Sequence, residues 1–129
     1  MKKDIENRAD IEQLVTQFYD AVKQDPVIGF IFNDIAKVDW AAHLPVMFDF
    51  WENTLFFTGS YAGNPMKSHT QLNKICPLTE IHFAQWNKLF AAAVDELFYG
   101  DKAELAKQRA LSISTVMRIK IKGTPNGLL

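Results

Sequence analysis

Apolar residues recur in steps of three and four through Ile11, Leu14, Val15, Phe18, Tyr19 and Val22, which predicts an amphipathic helix over 4–24. Pro26 ends it by pushing Asp25 out of helical geometry. The run VIGFIFND (27–34) is apolar but too short to stand alone, and reads as a turn or half-helix. Asp39 is a good N-cap for a second helix carrying Trp40, Leu44, Met47, Phe48, Trp51 and Leu55. Pro45 either bends that helix at the loss of one hydrogen bond, or marks a start nearer His43. Turn residues cluster from Gly59 to Pro65, which leaves 66–72 for a short helix at most. Thr79 caps a long helix with Phe83, Trp86, Phe90, Val94, Leu97 and Phe98 on one side, and Gly100 takes the C′ position behind it. Asp101 and Glu104 have the spacing of a cap and its N3 carboxylate at the head of a last helix. That helix runs through Leu105, Ile113, Val116, Met117 and Ile121 until Gly123 and Pro125 end it. No alternating strand pattern occurs. The prediction is all-α: four substantial helices in one domain over 1–129, with irregular pieces before the second and the third.

Composition sharpens this outline at one point. Ten Phe, three Trp and three Tyr are many aromatic side chains for 129 residues. Each carries a large apolar area. They can fill a small core; they can also line a pocket for a flat apolar ligand. The charges nearly cancel, 14 basic against 15 acidic, which gives no footprint for nucleic acid and no attraction to acidic membranes. The single cysteine, Cys76, excludes an intramolecular disulfide and makes a cysteine-based zinc site implausible. No apolar stretch approaches the length of a membrane span. The start, MKKDIENRAD, lacks the apolar run of a secretory signal, so cytoplasm is the expected compartment.

Candidate chemistry rests on three histidines, His43, His69 and His82. None forms an i, i+4 pair with another, and no HExxH or Glu-x-x-His motif is present, which argues against a mononuclear zinc enzyme or a di-iron bundle. Cys76 precedes a proline and has no base at a telling spacing. No GxGxxG or P-loop signals a nucleotide. Tyr19 and Trp86 each fall on the apolar side of a helix, where O–H and N–H must find an acceptor or cost about 1–3 kcal/mol. The residues alone therefore give an aromatic pocket, two polar handles and three histidines.

The string HLPVMFDFWENTLFFTGSYAGNPMKSHTQL (43–72), followed by PLTEIHFAQWNKLF (77–90), resembles the group III truncated haemoglobins. QFYD (17–20) looks like that family's Phe-Tyr pair on its B helix, and IGFIFND (28–34) like the segment after it. The chain has no Gly-Gly pair of the kind usual at the helix corners of groups I and II. The similarity spans the whole chain.

The resemblance implies a truncated globin fold, a two-over-two helical sandwich around haem b. It assigns His69, on a short helix, as the proximal ligand of the haem iron. Tyr19, Trp86, His43 and Met47 match the distal, ligand-facing positions. Phe32 matches the aromatic wedge near the CD corner, and Phe18, Phe50, Trp51 and Phe83 match the apolar walls of the cofactor pocket. Asn87 departs from the apolar residue common at its position, with an expected effect on packing rather than ligation. The implied function is binding of O2, NO and CO at a His-ligated iron, with two donors slowing oxygen release. That argues against bulk transport and leaves nitric oxide dioxygenation and peroxidase-like chemistry open, with a reductase as partner. A monomer with no nucleic-acid partner is expected. The reading from a different class is a haem-free helical domain that uses its aromatic pocket for an apolar ligand or partner.

Overall fold

The computed structural model describes residues 2–35, 37–59 and 78–122. They form helices α1 (Arg8–Gln24), α2 (Trp40–Phe56), α3 (Glu80–Leu97) and α4 (Asp101–Lys122), with a π-helical turn at Ile31–Ile35. No strand occurs among the described residues. The fold is all-α, as the periodicity predicts.

Local chemistry explains where each helix begins and ends, and corrects the sequence reading at three places. The first helix starts at Arg8, not near residue 4, because Asn7 caps it: its side-chain oxygen accepts from the Asp10 N–H at 3.0 Å. Asp10 answers by accepting from the Glu6 N–H at 2.8 Å and from the Lys3 ammonium, so this buried carboxylate is fully engaged. Asp25 ends α1 and organises the next turn, accepting from the N–H groups of Val27 and Ile28 at 2.9 Å each. Gly29 then passes so close to the α1 terminus that a Cβ would meet the Lys23 and Val22 carbonyl oxygens at 3.0 Å. Helix α2 begins at Trp40 on the Asp39 cap and carries Pro45 within it. The proline deprives the Ala41 carbonyl of its helical donor, and both residues are exposed, so water can serve that carbonyl.

The second correction concerns the last helix. Its cap comes from residue 4, not from Asp101, which is already helical. The Asp4 carboxylate accepts from the N–H groups of Lys102 and Ala103 at 2.9 and 2.8 Å, satisfying two donors that the first turn leaves open. Gly100 is the hinge that permits this. It sits at φ +147°, and a Cβ there would lie 2.5 Å from the Asp4 Cγ. Gly100 thus heads α4, with its carbonyl accepting from Glu104, rather than taking the C′ position behind α3.

The third concerns which face of α4 is buried. Ala103, Ala106, Ala110, Ser114 and Met117 face inward, while Val116 is 45 % exposed and Leu105 and Ile113 are half-buried. Small residues let α4 approach α3 closely, and the bulk between the layers comes instead from Phe18, Phe90 and Trp51. The side chain of Ile121 lies outside the described residues.

α1 and α2 run antiparallel as one pair, with Arg8 bonded to Asp49 at 2.7 Å and Glu52 at 2.9 Å near one end and Tyr19 packed on His43 towards the other. α3 and α4 form the second pair, tied along their length by Glu80–Arg118, Asn87–Ser114 and Asp95–Lys107. The pairs cross-pack mainly through α1 on α3, where Phe18 meets Phe90 edge-on at 5.1 Å. This is the two-over-two arrangement.

Candidate functional site

Between the two pairs lies a continuous aromatic cluster. Tyr19, on α1, is buried at 5 % exposure and has four ring neighbours from three elements. These are Phe18 at 4.7 Å, Phe32 of the π-helical turn at 6.3 Å, and Trp40 and His43 of α2 at 5.2 and 5.4 Å. The His43 imidazole stands edge-on to the Tyr19 ring at 78°. Helical geometry produces this meeting: Trp40, His43 and Met47 are spaced i, i+3, i+7 and share one side of α2. Met47 is half-buried against the same core.

Phe18 joins this group to a second one. It meets Trp86 edge-on at 5.6 Å, and Trp86 stacks on Phe90 at 6.0 Å with an interplanar angle of 10°. Phe90 stacks in turn on Trp51 at 4.6 Å, and Phe50 packs edge-on against Trp51 at 5.3 Å. The structure therefore brings Tyr19, His43, Phe32 and Phe18 together, with Trp86, Trp51 and Phe50 connected through Phe18 and Phe90. Phe83 stands apart from them: it packs with Met117, Leu78 and Ile113 between α3 and α4. His69 and Cys76 lie outside the described residues. His82 caps α3, its Nδ1 accepting from the Thr79 N–H at 3.1 Å.

The electrostatics follow from burial. Desolvation pushes the Tyr19 phenol well above its usual value, which keeps the O–H protonated and available as a donor. Asn87, the unusual residue on α3, has a specific partner. Its Nδ2 donates to the Ser114 Oγ at 2.6 Å and to the Phe83 carbonyl at 3.1 Å, while Ser114 donates to the Leu111 carbonyl at 3.0 Å. The departure is a satisfied polar bridge between α3 and α4, buried at Ser114.

Two features escape the sequence reading. Trp40 touches both polar rings, yet along the chain it is one apolar position in a stripe; its i, i+3 relation to His43 was the available signal. Lys23 is the other, with its ammonium 4.9 Å over the Trp40 ring. No group of three or more His, Cys, Asp or Glu suited to a metal ion occurs among the described residues. None of their helices is long and apolar enough to cross a membrane.

A buried phenol and an imidazole set in an aromatic wall suit one face of a flat, largely apolar ring system bearing a small polar ligand. No protein-family model matches the chain. A group 3 truncated hemoglobin, ctb, of Campylobacter jejuni is 30% identical over 118 residues, which cover 89% of this chain and 91% of the relative. The crystal structure of group III truncated hemoglobin from Campylobacter jejuni aligns with a TM-score of 0.82 at 28% identity, covering 95% of this chain and 97% of that one.

Proposed function

The chain belongs to the group 3 truncated haemoglobins, and from that premise we propose that it holds haem b between its helix pairs and binds oxygen and related diatomic ligands there. The observation that carries this reading is the buried Tyr19 phenol, set against His43 inside an aromatic wall. Membership in the family supports a haem-binding globin fold; the residue roles are our assignment.

Haem supplies the iron site for the diatomic ligand and the redox chemistry. We assign His69 as the residue that would hold the haem iron from the proximal side. Tyr19 and Trp86 would donate to a diatomic ligand held there, and His43 and Met47 would border it from α2. Phe32, Phe18, Phe50 and Trp51 form the walls and keep water out. Phe83 belongs to the α3–α4 side of the pocket and is the most remote of these assignments.

Each donor contributes about 1–1.5 kcal/mol to ligand retention, which is roughly a tenfold change in release rate. Retention of that size suits oxygen or nitric oxide chemistry, with electrons from a reductase, better than bulk transport. Oxygen release from the ferrous protein, followed by stopped flow, tests the assignment: Tyr19→Phe and Trp86→Phe each accelerate it about tenfold. Unchanged rates in both variants remove the two-donor account.

A further inference from the structure

Trp40 is placed as no ordinary core residue would be. It is only half-buried, at the first residue of α2. Its ring nevertheless contacts both polar rings of the cluster, Tyr19 at 5.2 Å and His43 at 5.7 Å, which also touch each other at 5.4 Å. The three rings form a closed triangle, and Trp40 is its outer corner. Phe32 stacks on the indole at 6.1 Å with an interplanar angle of 27°, bringing in the π-helical turn. The Lys23 ammonium lies 4.9 Å over the indole from the last turn of α1 and also reaches the Asp20 carboxylate at 3.5 Å. Lys23 is itself fixed to the turn that carries Phe32, since its carbonyl accepts from Asn33 Nδ2 at 2.8 Å.

From this convergence we propose that Trp40, held in place by Phe32 and Lys23, is a positioning residue that fixes the ring orientations of Tyr19 and His43 and so sets how strongly the pocket donates to a diatomic ligand. The proposal rests on the distal roles assigned above. Its physical basis is the steep angular dependence of hydrogen bonding. A donor aimed more than a few tens of degrees away loses most of its bond. Tyr19 is buried and in ring contact with Phe18, Phe32, Trp40 and His43, so its orientation is set by these neighbours. Removing the indole opens the side next to His43 and frees both rings together. A residue that merely fills space predicts otherwise: leucine, also large and apolar, would serve as well.

The test uses the haem-loaded ferrous protein with carbon monoxide, whose C–O stretching band moves to lower frequency as donors approach the ligand. Wild-type protein shows one narrow band. Trp40→Leu splits or broadens it towards higher frequency and releases oxygen three- to tenfold faster, while Trp40→Phe, which keeps an aromatic face for Lys23 and an edge for His43, restores the single band. Lys23→Met, on the outer face of the indole, shifts the band in the same direction with a smaller amplitude. An unmoved band in either Trp40→Leu or Lys23→Met overturns the proposal. Tyr19→Phe separates the two levels: a band unmoved in that variant overturns the distal reading itself, whereas a band moved by Tyr19→Phe but not by Trp40→Leu overturns only the role of Trp40.

Discussion

Replacing Asp4 by alanine removes a cap that joins the N-terminal segment to the start of α4. The carboxylate accepts from the N–H groups of Lys102 and Ala103, and from Ile5 at 2.8 Å. Loss of an N-cap costs about 1–2 kcal/mol, and a charged cap serving two amides belongs at the upper end, about 2 kcal/mol. With an unfolding entropy of roughly 2 cal/mol/K per residue, that is a fall in Tm of about 7 °C for a chain of 129 residues. Gly100→Ala should do the same damage by another route. Its Cβ, 2.5 Å from the Asp4 Cγ, evicts the cap, and its φ of +147° adds about 1–3 kcal/mol of backbone strain. In an Asp4→Ala background the cap is already gone and only the backbone strain and the 2.7 Å approach to the Cβ of residue 4 are left, so the double variant falls short of the sum of the singles by about 2 kcal/mol. Acid sharpens the test. Partial burial favours the neutral Asp4 carboxyl, but the backbone donors of Lys102, Ala103 and Ile5, together with the Lys102 charge, outweigh it and hold the group below its ordinary value. Its stabilisation is therefore complete above the ordinary carboxylate range and is lost as pH falls through the lowered folded value. Urea unfolding of wild type, both single variants and the double variant, matched in haem content, measures all of this. Additive single effects, or a gap between wild type and Asp4→Ala that fails to narrow on acidification, would refute the reasoning.

Ser114→Ala leaves Asn87 with the Phe83 carbonyl as its remaining acceptor, costing about 1 kcal/mol, and adding Asn87→Leu recovers most of that by making the bridge wholly apolar. A urea midpoint unchanged by Ser114→Ala would show that the bridge carries no stability. Because burial keeps the Tyr19 phenol protonated well past the ordinary tyrosine value near 10, oxygen release stays flat from neutral pH up to that value. A rate step centred near 10 in stopped flow would mean that Tyr19 ionises as an exposed tyrosine does.

All four helices were legible because 3.6-residue periodicity and caps are local signals: Asp39 and Thr79 stand where they were expected. What was not legible depends on distance along the chain. The cap of α4 lies 98 residues from the amide that it serves, and no window of sequence connects Asp4 to Lys102. The inward face of α4 was misjudged at Val116 because hydrophobicity favours it, whereas close helix approach favours Ala103, Ala106 and Ala110. Within the candidate site, periodicity placed Tyr19 and Trp86 on apolar faces, but only the meeting of α1, α2 and the π-helical turn reveals the triangle with Trp40 and His43. The role of His69 came from resemblance, since spacing alone does not separate one histidine in GNPMKSHTQL from a surface residue.

Haemin titration of the purified protein, read at the Soret band, tests the central claim most directly. The account predicts stoichiometric uptake with an intense band, retained in Tyr19→Phe and lost or shifted in His69→Ala. A folded, colourless protein that ignores haemin would contradict it and favour a haem-free helical domain, and a His69→Ala spectrum identical to wild type would remove His69 as the proximal ligand.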